Sequence, residues 1–487
     1  MKIAVIGAKG LPAKQGGIET YCQELYPQLV AQGHSVDLFA RPSYTESPWF
    51  SNYDYKGVRV ICLPSLPLRG LDAFTSSAFG AIATLFKDYD IVHFHALGPS
   101  LFCWLPRLTS NAGVVVTCQG LDWQRAKWGK FSSALIRWGE KAAVKYADEI
   151  VVVSKALESY FLDTYGLETK YIPNAPGKYS DSDPDFAYIN SLGLTKGRYV
   201  LFLGRLVPEK RPELLLKAFQ KLQPQGWKLA LAGGNSDTTD YISQMEKMAQ
   251  GNPNILFTGE LHGEHLAEVV RGAGLFVLPS DLEGLPLVML EVMREGVPVL
   301  ASDIPAHCQL IGNDRGMLFK AGNVDDCCRS LEKALSQPEA LALMAENAQD
   351  NVKVNYNWKK ITYDNLSLYA KIANLTGLAN STANGNGFAH SNGNGQVSLS
   401  NGTFDITEGL ALQSPAMELT PEKNQQLQTY LREITNLLCE EASQSEITDQ
   451  KHFKQNLRQQ ILQQIDLQLD RYLTENQPDF SQVSVNK

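Results

Sequence analysis

Apolar residues recur along the chain in two registers. Short β-branched runs at residues 2–6, 35–39, 58–62, 91–95, 114–117 and 149–153 alternate with stretches of helical period. Strands buried on both faces read as continuous apolar runs, so this alternation predicts a parallel sheet sandwiched between helices, a first α/β domain over residues 1–175. A polar stretch rich in Ser, Asp and Pro at 176–186 reads as a linker. Further runs at 199–203, 228–232, 254–258, 275–278 and 298–301 then alternate with helices starting near Pro212, Tyr241, Glu264, Leu287 and Val324, which predicts a second doubly wound domain over 188–355.

After residue 375 the pattern changes character. Residues 375–418 are dominated by Asn, Gly, Ser, Ala and Thr, too little apolar surface to offset ordering entropy, and are expected to form a disordered linker. Its Asn-x-Ser/Thr triplets read as chance rather than as glycosylation sites. In 419–476, Leu427, Tyr430, Leu431, Ile434, Leu437 and Leu438 share one helical face, and Phe453, Leu457, Ile461, Ile465, Leu469 and Tyr472 another. A Gln-rich helical appendage follows, which either packs on itself or the body or serves self-association.

Composition narrows the function classes. Of 487 residues 44% are hydrophobic and 20% charged, an ordinary globular balance, and the net charge of -8 argues against a general nucleic-acid binder. Cys22, Cys62, Cys103, Cys118, Cys308, Cys327, Cys328 and Cys439 show neither a CxxC pair nor zinc spacing and read as reduced thiols. Met1 leads almost at once into an apolar strand, without signal-peptide features, and no run suits a membrane span. A cytoplasmic protein is expected, one able to lie on the inner face of the cytoplasmic membrane.

Candidate chemistry sits at strand ends. Ser280-Asp281-Leu282-Glu283-Gly284-Leu285-Pro286 follows the strand ending at Leu278 and runs into a helix carrying Glu291, so two carboxylates can face one crevice. Carboxylates accept from vicinal hydroxyls, and N–H groups at the helix start suit phosphate or sugar oxygens. Gly204-Arg205-Leu206-Val207-Pro208-Glu209-Lys210-Arg211-Pro212 follows the strand at 199–203; Arg205 and Lys210 there suit a pyrophosphate leaving group without a metal. Gly233-Gly234 and Gly259-Glu260-Leu261 are candidate walls for a nucleoside. After the first strand, Gly16 and Gly17 lie in a loop whose glycine spacing differs from a dinucleotide fingerprint and whose backbone can approach a diphosphate across the cleft.

Taken with His93-Phe94-His95-Ala96-Leu97-Gly98-Pro99, Gly120-Leu121-Asp122-Trp123-Gln124-Arg125 and Ile172-Pro173-Asn174, these motifs resemble family 4 of the retaining glycosyltransferases over about residues 1–373. Within it, they resemble bacterial rhamnosyltransferase-like enzymes of exopolysaccharide and surface-glycan synthesis. The resemblance implies a GT-B fold, two Rossmann-like domains facing across a cleft, with a final helix around 356–373 returning to the first domain. It implies that Arg205 and Lys210 hold the diphosphate of a nucleoside-diphosphate sugar, that Glu291 holds the ribose, and that Glu283, Gly284 and Leu285 hold the transferred sugar. No cofactor or obligatory metal is implied, and same-face attack requires no protein nucleophile.

One position departs from the family. Gln119 stands where a histidine beside the reacting sugar is usual; it can hydrogen-bond a hydroxyl but cannot carry charge. His93, His95 and Asp122 are assigned to the acceptor side, each histidine being either a structural hydrogen-bonded residue or an acceptor contact. Residues 123–145 combine Arg125, Lys127, Lys130, Arg137, Lys141 and Lys145 with Trp123, Trp128, Phe131 and Trp138, a composition that suits either an anionic bilayer or lipid-diphosphate acceptor, or a solvated helix face. Asp181-Ser182-Asp183 imitates a metal-binding DxD but lies in the linker. Transfer to a glycan or lipid-linked acceptor is therefore favoured over nucleotide-sugar epimerisation or a non-catalytic binding subunit.

Overall fold

Runs of Val, Ile and Leu form strands here because both their faces are covered, and the central strands of each sheet are buried along nearly all their length while the edge strands are partly exposed. The computed structural model describes residues 1–13, 16–65, 71–124, 130–234, 239–312 and 314–383. The linker and appendage expected at 384–476 lie outside the described residues. Residues Met1–Leu378 form one compact unit that contains both sheets.

The first domain comprises β1 (Lys2–Ile6), α1 (Gly17–Ala31), β2 (Ser35–Ala40), α2 (Pro42–Thr45), β3 (Asn52–Tyr55), β4 (Val58–Cys62) and α3 (Leu71–Ala83). It continues through β5 (Ile91–His95), α4 (Trp104–Thr109), β6 (Gly113–Cys118), α5 (Lys130–Tyr146), β7 (Glu149–Val152), α6 (Lys155–Tyr165) and β8 (Lys170–Tyr171). The strand order is β3-β4-β2-β1-β5-β6-β7-β8. All neighbours are parallel except β3, which pairs antiparallel with β4. That strand departs from the all-parallel expectation. Its hairpin turns on Lys56 and Gly57, both at positive φ (51° and 85°), the geometry that matches strand twist in a two-residue turn.

The second domain begins with α7 (Ala187–Ser191), β9 (Tyr199–Leu203), α8 (Pro212–Leu222), β10 (Lys228–Ala232), α9 (Thr239–Ala249), β11 (Ile255–Gly259) and α10 (Gly263–Arg271). It ends with β12 (Leu275–Leu278), α11 (Leu287–Arg294), β13 (Val299–Ser302), α12 (Pro305–Ile311), β14 (Met317–Phe319), α13 (Val324–Ser336) and α14 (Pro338–Asn355). Its strands run β11-β10-β9-β12-β13-β14, all parallel. The order reverses between β9 and β12, and it is at the carboxyl ends of such a pair that an open sheet leaves a crevice.

Helix α15 (Trp358–Ala383) returns to the first domain, where Ile361, Leu368, Tyr369 and Ile372 join the core around β1 and β5. Gly113 makes room for it: a Cβ there would lie 2.2 Å from Ile372 Cγ2. The helix continues to Ala383, through the first nine residues expected to belong to the disordered linker. Once a helix is nucleated and anchored on a core, each further residue adds a hydrogen bond, which carries it into a stretch that also holds Thr, Gly, Asn and Ser.

Candidate active site

Two loops meet at the switch point of the second sheet. After β9 the chain turns through Gly204, at φ 149°, and a 3₁₀ turn over Pro208–Lys210 that ends on Arg211 in the left-handed region. After β12 it runs through Ser280 to Pro286 into α11. The loops are tied by the Asp281 N–H donating to the Glu209 carbonyl (2.9 Å) and by an Arg211–Asp281 ion pair at 3.4 Å. Between them Lys210 Nζ lies 2.8 Å from Glu283 Oε1, with side chains only 14% and 13% exposed. Ser280 Oγ donates to the same carboxylate oxygen at 2.9 Å. Burial alone would raise the Glu283 carboxyl, yet the charge and hydrogen bond of Lys210, helped by Ser280, bring it below the usual range. The result is a fixed carboxylate beside a fixed ammonium. Arg205 is half-buried on the same loop.

His307 forms part of the floor under this pair. Its Nδ1 lies 2.9 Å from the Ser302 carbonyl oxygen, which only accepts, so Nδ1 carries the hydrogen. Ser302 Oγ in turn donates to the Ser280 carbonyl at 2.5 Å. Burial pushes the His307 imidazole down to about 4, so it is neutral near pH 7.

Glu291 sits one turn into α11 and is held by the linker. Tyr179 Oη donates to Glu291 Oε2 at 3.0 Å, the Gly177 N–H also bonds to it, and Arg294 donates to the Gly177 carbonyl. Burial dominates these attractions and raises the Glu291 carboxyl to about 7.

The first domain closes over this surface at three points. Leu287, at the start of α11, lies 3.1 Å from where a Cβ on Gly17 would stand. A Cβ on Gly177 would be 3.5 Å from Thr20 Cγ2 and 3.6 Å from Glu291 Oε1. A Cβ on Gly284 would lie 2.1 Å from the Gln119 carbonyl oxygen, an approach only glycine allows. Asn174 Nδ2 donates to Gln119 Oε1 at 2.8 Å beside that contact. Gly16, at φ 109°, precedes α1, and Glu19 of that helix accepts the Lys9 N–H at 2.9 Å. A cavity of about 560 Å³ opens between this loop and the end of β11, lined by Lys9, Pro12, Glu19, Tyr44, Glu260 and His262.

Thus Gly16, Gly17, Gln119, Arg205, Lys210, Glu283, Gly284, Leu285 and Glu291 all come to the interdomain cleft or its two loops. Asp122 opens a 3₁₀ turn two residues after Gly120, which itself lies against Gly284. His93 and His95 do not reach the cleft, which corrects their acceptor-side assignment. Both are 0% exposed. Tyr26 Oη bonds His95 Nε2 at 2.6 Å, while His93 bonds Tyr369 Oη at 2.6 Å and Thr117 Oγ1 at 2.7 Å. Burial depresses both imidazoles, His95 to about 3, so they are neutral members of a core network joining α1, β5 and α15. The residues missing from the sequence reading are Tyr179, Gly177 and His307.

Other sequence candidates find structural work. Asp183 accepts the N–H groups of Asp185 and Ala187 at the start of α7. Arg137 stacks over Trp123 at 4.0 Å, and Trp123 Nε1 donates to buried Glu140. Arg137, Lys141 and Lys145 still present an exposed stripe on α5; residues 125–129 lie outside the described residues. Among the described residues no helix is long and apolar enough to cross a membrane, and no cluster of three or more His, Cys, Asp or Glu suits a metal.

This architecture is shared. Residues 16–175 match the family described as glycosyl transferase 4-like domain, and residues 186–351 that described as glycosyl transferases group 1. The chain is 26% identical over 408 residues to D-inositol 3-phosphate glycosyltransferase of Rhodococcus erythropolis, covering 76% of this chain and 91% of that protein. It is 23% identical to alpha-maltose-1-phosphate synthase of Mycolicibacterium smegmatis over 77% of this chain and 100% of that one. Among solved structures, sucrose-phosphate synthase from Thermosynechococcus elongatus aligns with a TM-score of 0.66 at 23% identity, over 76% of this chain and 98% of the other. HepE of Anabaena in complex with UDP-glucose aligns at 0.62 and 18%, over 76% and 100%. At such identities the structural likeness is one of fold, and it is the two-domain fold expected from the strand pattern.

Proposed function

We propose that this chain, whose first domain matches the glycosyl transferase 4-like domain and whose second matches glycosyl transferases group 1, is a glycosyltransferase whose cleft moves a hexose or deoxyhexose from a nucleoside-diphosphate sugar to a glycan or lipid-linked glycan with retention of configuration. The observation that carries this reading is the Lys210–Glu283 pair at the switch point, faced across the cleft by Gln119. The sugar's C1–O bond to the diphosphate breaks with its electron pair going to phosphate, while the acceptor oxygen bonds to C1 on the same face and its proton passes to a donor phosphate oxygen. Lys210 and Arg205 stabilise the charge on the departing diphosphate, so the step requires no metal ion. Glu283 holds the sugar hydroxyls, Glu291 with Tyr179 holds the ribose, and the cavity between Lys9 and Glu260 is large enough for a nucleoside.

The basic stripe of Arg137, Lys141 and Lys145 supports an acceptor presented at an anionic bilayer, as surface polysaccharide synthesis on the inner face of the cytoplasmic membrane would require. Co-sedimentation with phosphatidylglycerol vesicles but not phosphatidylcholine vesicles checks that placement. For the chemistry, a thermal-shift screen of nucleotide sugars selects the donor, since a ligand of the folded state raises apparent stability. Donor turnover is then followed with and without acceptors. Nucleoside diphosphate released only with acceptor supports transfer; sugar isomerisation without acceptor would indicate an epimerase, and binding without turnover across a broad acceptor panel would indicate a binding subunit.

A further inference from the structure

The segment that joins the two domains passes from one to the other at a single peptide. Residues 172–186 form neither helix nor strand. The Pro176 carbonyl accepts from Trp358 Nε1 at 3.2 Å, and Trp358 packs against the first domain's core. The next carbonyl, that of Gly177, accepts instead from Arg294 at the end of α11. From there to Ser182 the segment is bound to the second domain. Arg271, the last residue of α10, donates through Nη1 to the Ser180 carbonyl and to Ser182 Oγ, both at 2.9 Å. Tyr179 lies between these anchors, its hydroxyl on Glu291 and its ring 5.6 Å from the Arg294 guanidinium.

One carboxylate holds both arginines. Glu295, which is 14% exposed, accepts from Arg271 Nε through Oε2 at 2.8 Å and from Arg294 Nη2 through Oε1 at 2.9 Å. Arg294 Nε lies 3.2 Å from the same Oε1. Each guanidinium thus has one edge on Glu295 and other N–H groups on the linker. A guanidinium is rigid and planar, so fixing one edge also fixes the direction in which the remaining N–H groups point. A tether needs no such arrangement, since an irregular segment loses conformational entropy at every residue that is fixed. This one is fixed where it meets Glu291.

We propose that Glu295 is a positioning residue of the donor site: through Arg271 and Arg294 it fixes residues 177–182 on the second domain, so that Tyr179 and the Gly177 N–H hold the Glu291 carboxylate in the orientation that receives a nucleoside's ribose. The inference rests on the reading of Glu291 as the ribose ligand. Tyr179 and Gly177 supply two donors to that carboxylate, which fixes where its remaining accepting capacity points. When the row of Arg271, Glu295 and Arg294 is broken, the linker loosens and the ribose must order the carboxylate as it binds, at the expense of affinity. The diphosphate is held by Arg205 and Lys210 on another loop, so its binding does not depend on the row.

Glu295→Gln is the test, because it keeps the shape while its amide nitrogen can only donate, so it cannot accept from both arginines. Arg271→Gln breaks the row at its far end, on a different helix, and serves if the first variant does not fold. The probes are UDP, GDP, ADP and dTDP, of which the tightest binder to wild type is carried forward, and inorganic pyrophosphate, which has the diphosphate and no ribose. Calorimetric titration gives each Kd.

For each variant the Kd of the nucleotide is expected to rise about tenfold, the scale of a lost hydrogen bond to a charged group, while that of pyrophosphate stays within twofold of wild type. Glu291→Gln should also weaken the nucleotide, and adding Glu295→Gln to it should change the Kd by less than a further twofold, because the second residue acts only through the first. If wild type binds none of the nucleotides, or Glu291→Gln binds the nucleotide as wild type does, the reading of the ribose ligand fails and this inference with it. If Glu291→Gln weakens the nucleotide but the Glu295 and Arg271 variants stay within threefold of wild type, weaken pyrophosphate equally, or add their full effect to that of Glu291→Gln, the row does not act through Glu291 while the reading of the cleft stands.

Discussion

Replacing Glu291 by glutamine removes a charge that the folded protein holds at some cost. Its carboxyl rises from 4.5 to about 7, chiefly through burial, against the opposing pull of Tyr179, Arg294 and the Gly177 N–H. The folded chain therefore binds this proton more tightly than the unfolded chain. The stability linked to it is complete below about pH 4.5 and is lost as pH rises through 7. At 1.36 kcal/mol for each pH unit, the difference approaches about 3 kcal/mol above pH 7. Glu291→Gln should thus be more stable than wild type at pH 8 by about 2–3 kcal/mol in denaturant unfolding, and the gain should fade towards pH 4.5.

The same proton should mark donor binding. Ribose hydroxyls donate to an ionised carboxylate, so binding draws the Glu291 carboxyl down and expels the proton that the empty site holds. With the carboxyl near 7, about half a proton should leave per sugar nucleotide bound at pH 7, rising towards one near pH 6. Calorimetric titration in buffers of different ionisation enthalpy counts those protons. Through this group alone, affinity should rise up to about tenfold per pH unit below 7 and level off above it. Glu291→Gln should release none and bind more weakly. Proton release that is the same in wild type and variant, or a variant less stable than wild type at pH 8, would refute the argument.

Three further outcomes are expected. Gly284→Ala places a Cβ 2.1 Å from the Gln119 carbonyl oxygen, so the domains cannot close as they do; kcat should fall by about a hundredfold while denaturant unfolding changes by less than about 1 kcal/mol. Lys210→Ala removes the charge that holds Glu283 ionised, so kcat should fall by about 10²–10³. Because the Glu283 carboxyl lies below its usual range, the pair's stabilising contribution is present above that range and lost as pH falls through the lowered value, so the variant's stability deficit should be largest near pH 8 and shrink in acid. Tyr26→Phe takes the hydroxyl partner away from His95 Nε2 and should cost about 1–3 kcal/mol of stability with kcat/KM within about twofold of wild type. A large loss of activity in that folded variant would return the histidines to the acceptor side.

The parts of the site that could be read from sequence share one property: their signal is contiguous. Glu283 and Glu291 lie in a single strand–turn–helix string, and Arg205 and Lys210 in another, so spacing along the chain places them at the carboxyl ends of β12 and β9. The order of the second sheet then brings those two ends together. The first sheet was less legible at its edge, since β3 is exposed and partly polar and carries no apolar run.

What sequence could not supply was the far partner that gives a polar residue its meaning. Period-two spacing correctly places His93 and His95 on one face of β5, but whether that face is cleft or core depends on Tyr26 of α1 and on Tyr369, 276 residues from His93. Tyr179 lies in a stretch that reads as solvated linker, and only the return of that segment across α11, 112 residues on, makes it a partner of Glu291. The same holds for Asn174 and Gln119, which are 55 residues apart. Either amide alone could be a core residue, as the two histidines are. What sets them apart from an ordinary core pair is their place: the Gln119 carbonyl lies against Gly284 at the cleft, so the meaning of the pair depends on the second domain as much as on the first.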